Sequence, residues 1–74
     1  MFLTSLDNMR SATVAGLSCP PALRSRLGAF GLLPGCRLRM LRNSRKGSLV
    51  IELRGSFLAL SRKIAGQIEV EEAI

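Results

Sequence analysis

The chain has 74 residues, enough for one domain, and a chain this short buries a smaller share of its surface than a longer one, so its core must be compact. Eleven Lys and Arg against five Asp and Glu give a net charge of +6, and hydrophobic residues make up 47% of the whole. There is no histidine, which removes the commonest general base and metal imidazole from any catalytic scheme.

No uninterrupted apolar stretch reaches the roughly 18 residues that a spanning helix needs, which predicts a soluble protein. The start, Met1-Phe2-Leu3-Thr4-Ser5-Leu6-Asp7, turns polar too soon for a secretory signal, so the expected compartment is the cytoplasm. Cys19 and Cys36 are too few for a disulfide framework and lack the close pairing of a zinc or redox motif. In a reducing compartment both are expected as free, buried thiols, with a single disulfide left open by the spacing alone.

Ser11 to Leu17 gives a first short strand, with Ala12, Val14 and Gly16 on one side and Thr13, Ala15 and Leu17 on the other. Ser18-Cys19-Pro20-Pro21 suits a helix start, because serine accepts an orphan backbone donor and proline is tolerated in the first turn. A helix over about Pro21 to Phe30 follows, with Leu23, Leu27 and Phe30 at i, i+4 and i+7 on its core face. Gly31 then fits the left-handed position after a helix and Leu32 the apolar contact beyond it, with Pro34-Gly35 making the next turn.

In the second strand Cys36, Leu38 and Met40 alternate with Arg37 and Arg39, and Leu41-Arg42 breaks that phase, predicting a bulge or bend. Asn43 to Ser48 is polar and is expected as an exposed hairpin loop. Leu49, Ile51 and Leu53 face inward on a third strand. Gly55-Ser56 predicts a tight turn and Phe57 to Leu60 a fourth strand. Arg62 to Gly66 predicts one helical turn before Ile68 to Glu71 forms a fifth strand, with Glu69 and Glu71 on its solvent face. Five short strands with one early helix are expected to curl into a small barrel, which leaves few exposed edges.

Arg26-Leu27 with Gly31-Leu32 and Pro34-Gly35, then Leu58, Leu60, Arg62 and Ala65, then Ile68 and Val70, resemble the FeoA family of small cytosolic accessory proteins of bacterial ferrous iron transport. The resemblance runs from about Leu6 to Val70 and makes residues 1–74 a single FeoA-like domain. It implies a mainly β fold, an SH3-like small five-stranded barrel with a short helix between strands 1 and 2. Two departures stand out: Asn8-Met9-Arg10 lies where a turn glycine is common, and the hairpin loop carries Arg45-Lys46-Gly47 where a proline-bearing segment is usual.

Catalytic motifs are missing. Neither a Gly-x-x-x-x-Gly-Lys-Ser/Thr phosphate loop nor a Gly-x-Ser-x-Gly elbow is present, and without histidine a Ser or Cys nucleophile lacks its usual base. The expectation is a non-enzyme that needs no cofactor. The family's link to iron raises transition-metal binding, with Glu69, Glu71 and Glu72 able to hold a divalent ion weakly together with a neighbouring molecule, but Glu69 and Glu71 alternate with Ile68 and Val70 as a solvent face does, so no metal residue is assigned. Proline-rich peptides call for an aromatic groove, and the chain has no Trp or Tyr and only Phe2, Phe30 and Phe57; of these Phe30 is expected in the core.

Charge points to an acidic partner, a phosphate backbone or an anionic surface. What the resemblance implies is contact with the cytoplasmic portion of the GTPase-containing ferrous iron permease. Arg24, Arg26, Arg37, Arg39, Arg45 and Lys46, on the helix, second strand and hairpin, are the candidate contact residues. Self-association stays open. The rival from another class is a small basic barrel that binds nucleic acid through a stripe of Arg37, Arg39, Arg42, Arg45 and Lys46, and the expected shortage of exposed aromatics speaks against it.

Overall fold

Alternation of apolar and polar side chains decides which face of each strand meets the core, and in the computed structural model, which describes residues 1–73, five strands build one antiparallel sheet on that rule. The strands are β1 (Ser11–Leu17), β2 (Arg37–Asn43), β3 (Leu49–Leu53), β4 (Ser56–Leu60) and β5 (Ile68–Glu72). Helix α1 (Pro21–Ala29) joins β1 to β2, the single-turn α2 (Arg62–Ala65) joins β4 to β5, and a 3₁₀ turn (Leu3–Ser5) precedes β1. The strand order is β4-β3-β2-β1-β5. This is the mainly β architecture with an early helix that the sequence predicts.

The expected barrel closure is not made. β4 and β5 end the sheet on opposite sides without pairing to each other, so the sheet stays open. Leu38, Met40, Leu49, Ile51 and Val70 on its inner face are buried, and they are joined in one cluster by Leu3 and Leu6, by Leu27 and Leu32, and by Ala65. The helical segments cover the apolar face that a closed barrel would have turned inward.

Around β1 and α1 the structure departs from the sequence reading at Ser18, Leu17 and Phe30. Ser18 does not cap α1: the N-cap is Pro20, no side chain bonds the first turn, and the Ser18 N–H goes to the carbonyl of Gln67. Leu17 is buried with Ala12 and Val14 instead of lying on the side of Thr13 and Ala15, because the β1–β5 register slips between Val14 and Gly16 and the extra residue, Ala15, reverses the alternation. Phe30 is 62% exposed, since it occupies the C-cap past the last helical turn and has left the face shared by Leu23 and Leu27.

The end of α1 follows its sequence closely. Gly31 has φ +92°, its N–H donates to Gly28 O at 2.9 Å, and the Leu32 N–H reaches back to Leu27 O at 3.0 Å, the paired bonds of a Schellman stop. Pro34-Gly35 then turns the chain, with Gly35 at φ +89° and the Cys36 N–H on Leu33 O at 3.0 Å. In β2 the predicted irregularity is a register shift between Met40 and Arg42. The β3–β4 turn is Arg54-Gly55, not Gly55-Ser56: Leu53 pairs with Ser56, and both turn residues have positive φ as a two-residue type I′ hairpin requires. Cys19 and Cys36 are buried free thiols.

Asn43 is the largest departure. Expected at the start of an exposed loop, it ends β2 and is only 7% exposed. Its Nδ2 donates to Thr4 O at 2.9 Å and Leu6 O at 3.1 Å, while its Oδ1 accepts from the Arg45 N–H and, at 2.8 Å, from Arg62 Nη1. Its own N–H donates to Asn8 Oδ1 at 2.6 Å. One amide thereby ties the N-terminal segment, the β2–β3 hairpin and α2 together. No buried side-chain nitrogen or oxygen among the described residues lacks a partner.

Three outcomes follow from this packing. Leu27→Ala should cost on the order of 2 to 5 kcal/mol through the cavity it leaves, a large part of the roughly 0.05 to 0.15 kcal/mol per residue that sets a domain's total stability. An unchanged urea midpoint would show that Leu27 is not a core residue. Gly31→Val should lower the midpoint more than Gly31→Ala, because positive φ is worst for a β-branched side chain; equal tolerance of the two would place Gly31 outside the left-handed region. Asn43→Ala should cost about 2 to 4 kcal/mol by leaving buried carbonyls and the Arg62 guanidinium underpaired. Asn43→Asp should be no better despite its similar shape, since it sets a carboxylate oxygen against the carbonyls of Thr4 and Leu6; a midpoint restored by Asp would refute that account.

Candidate functional site

The bulge in β2 keeps Arg37, Arg39 and Arg42 exposed while Leu38, Met40 and Asn43 point inward. Arg37 and Arg39 line a shallow hollow on the outer face of the sheet with Ser11, Glu52 and Arg54. A cross-strand row runs through it, Ser11 opposite Arg39, Arg39 opposite Glu52, and Glu52 opposite Phe57. Arg54 was not among the sequence candidates. The tight type I′ turn brings it there, and that turn became legible only once Leu53 and Ser56 were known to pair.

Arg45 and Lys46 lie at the exposed tip of the β2–β3 hairpin. Arg45 sits at φ +67°, a conformation unusual for a residue with a β-carbon, and its Nη2 pairs with Asp7 Oδ1 at 3.1 Å. Both side chains of that pair are mostly exposed, 72% and 68%, so it orients the tip more than it stabilises the fold. Arg24, itself exposed, reaches back to the end of β1, donating from Nη2 to Leu17 O at 2.9 Å. Arg26 lies instead along an apolar groove between α1 and β4.

The six sequence candidates are therefore distributed, not assembled into one patch: Arg37 and Arg39 share the outer hollow, Arg45 and Lys46 the hairpin tip, Arg26 the groove, and Arg24 a backbone bond. Arg62, a cation the sequence placed in a helical turn, is occupied by Asn43 Oδ1 and Thr4 O. On the opposite edge Glu69 pairs with the N-terminal ammonium at 3.2 Å and Glu72 with Arg10 at 3.2 Å. Among the described residues no three His, Cys, Asp or Glu side chains gather as a metal site would require, and no helix is long and apolar enough to cross a membrane.

The family model described as the FeoA domain matches residues 1–72. The chain belongs to the FeoA domain family. The solution structure of a FeoA protein from Chlorobium tepidum is similar to it at 31% identity with a TM-score of 0.91, over 100% of this chain and 71% of that one. A crystal structure of an iron uptake regulatory protein, also named FeoA, has the same fold at 22% identity and a TM-score of 0.92, over 99% of this chain and 97% of that one. A manganese-dependent transcriptional repressor in complex with manganese shares the fold at 24% identity and a TM-score of 0.87, but this FeoA domain spans only 36% of it. No curated protein matches the chain. These neighbours fit the SH3-like class expected from the sequence, with the open sheet as the one amendment.

Proposed function

We propose that this FeoA domain is a cytosolic accessory factor of bacterial ferrous iron transport that acts by contact with the cytoplasmic portion of the GTPase-containing permease. Membership of the FeoA family over residues 1–72 carries the reading. The surface supports it, since the fold sets exposed cationic side chains at a hairpin tip and on a sheet face. Arg45 and Lys46 on the tip, and Arg37 and Arg39 on the face, offer long-range attraction to an acidic surface, which sets orientation and on-rate more than tightness.

Nucleic-acid binding gains one observation. The expected shortage of exposed aromatics is wrong: Phe57 is 71% exposed and stands in the cross-strand row that contains Arg39. Between them in that row, however, lies Glu52, whose carboxylate repels phosphate at the centre of the patch. The same carboxylate repels an acidic protein there too, so the protein-contact reading is preferred on family membership over residues 1–72.

Reversing Arg45 and Lys46 together to Glu should shift stability by no more than about 0.5 kcal/mol, because both residues are exposed and the Arg45–Asp7 pair that is lost is open to solvent. The same variant should impair ferrous iron uptake in cells that depend on the protein and weaken capture of the permease, with the defect growing as salt is lowered. Normal uptake with lost retention of RNA or DNA would instead select the nucleic-acid reading. Wild-type uptake and capture together would remove the hairpin from the contact surface.

A further inference from the structure

The two ends of the sheet are finished differently. Along β5 the Val70 N–H donates to Met1 O at 2.7 Å, the N-terminal ammonium donates to Val70 O at 3.1 Å, and Glu69, Glu71 and Glu72 add charge, so that edge is both covered and guarded. β4, at the other end, reads Ser56-Phe57-Leu58-Ala59-Leu60, with no charge, no proline and no bulge. The charged, proline and bulge protections against strand addition are therefore missing along β4.

The register shows which backbone groups are free. Leu53 and Ser56 close a two-residue hairpin and exchange both hydrogen bonds, and bonded pairs then alternate along the ladder, so Ile51–Leu58 and Leu49–Leu60 are bonded in turn. Phe57 and Ala59 therefore direct their N–H and C=O groups away from β3. Beside this edge runs the apolar groove between β4, α1 and α2, lined by Leu23, Phe30, Leu58 and Ile64. We propose that the free edge of β4 is a docking site for an extended segment of a partner protein, apolar at alternate positions and flanked by carboxylates, which adds to the sheet as a sixth strand.

Backbone geometry selects an extended occupant, because only a strand can meet the Phe57 and Ala59 groups in register while every second side chain enters the groove. Charge selects its flanks. Arg26 lies in the groove, Arg54 and Lys63 stand at the two ends of β4, and no acidic residue lines the groove. A second copy of this chain fits poorly, since antiparallel pairing of two β4 strands sets the Arg54 end of one against the Lys63 end of the other and joins two molecules of charge +6 each. The site does not depend on the permease being the partner, and charge reversal at Arg45 and Lys46 leaves it untouched.

The test pans a random nonapeptide library on the full chain and follows backbone amide exchange of the chain with the selected peptide bound. Enriched peptides should alternate apolar residues between Asp or Glu flanks, and they should slow exchange at Phe57 and Ala59 roughly tenfold or more. N-methylation of one alternate set of peptide positions should weaken binding about tenfold or more while the other set is tolerated, the signature of a one-sided ladder. The proposal is overturned if no peptide is enriched, if bound peptides leave Phe57 and Ala59 unprotected, or if both N-methylated sets bind equally. Protection at Phe57 and Ala59 that rises with the concentration of the chain alone would overturn it in favour of a second copy.

Discussion

A five-stranded sheet with one apolar face has to hide that face, and a sheet of this size that stays open cannot hide it against itself. Most of the remaining architecture answers that constraint. The 3₁₀ turn brings Leu3, α1 brings Leu27 and its stop Leu32, and α2 brings Ala65, all of them buried with the inner faces of the strands. Covering a sheet with three separate segments creates a second difficulty, because each must be held in register with the others. Asn43 resolves much of it, as its amide bonds the carbonyls of Thr4 and Leu6 and accepts from Arg62 at the start of α2. The buried polar group is thus fully satisfied and works as a specific joint between otherwise apolar surfaces.

The parts legible in the sequence are those written by local rules. Leu49, Ile51 and Leu53 alternate with the less buried Val50 and Glu52 and form β3, and Gly31, Leu32, Pro34 and Gly35 each meet a steric demand within a few residues. What stayed hidden depends on partners distant in the chain. A polar residue at the mouth of a polar loop gave no sign that Asn43 would meet Thr4, some forty positions away, and the bulge that buries Leu17 exists only in relation to β5. Phe30 was misplaced by one step of helical geometry, since α1 ended before reaching it. Barrel closure failed for a similar reason: whether β4 and β5 meet is settled by where α2 delivers the chain, which no pattern within either strand encodes.

The candidate site was only partly legible. Charge and alternation located Arg37, Arg39, Arg45 and Lys46 on the outside, where they are. They did not show that Arg24 is committed to Leu17 O, that Arg54 joins the outer hollow, or that Glu52 interrupts the row from Arg39 to Phe57. A tally of positive residues overstates the free cationic surface, because hydrogen bonding withdraws some of them and a carboxylate divides others. Function in such a domain rests on how charge is distributed over faces and edges, not on its sum.

The placement of β1 also governs the order in which the molecule can be assembled. β2, β3 and β4 are joined by short connections and pair as a meander of sequence neighbours, whereas β1 takes β5 as one partner, with Ala12 opposite Glu72 near the far end of the chain. The entropy of closing so long a loop must be met before that pairing yields any contact, so the meander is set to form early and the β1–β5 ladder late. Until it does, β1, paired with β2 on one side only, exposes its other flank while β4 exposes its own. During biosynthesis this domain accordingly passes through a stage with two unguarded strand edges, and only the arrival of β5, the last strand of the sheet in chain order, covers one of them.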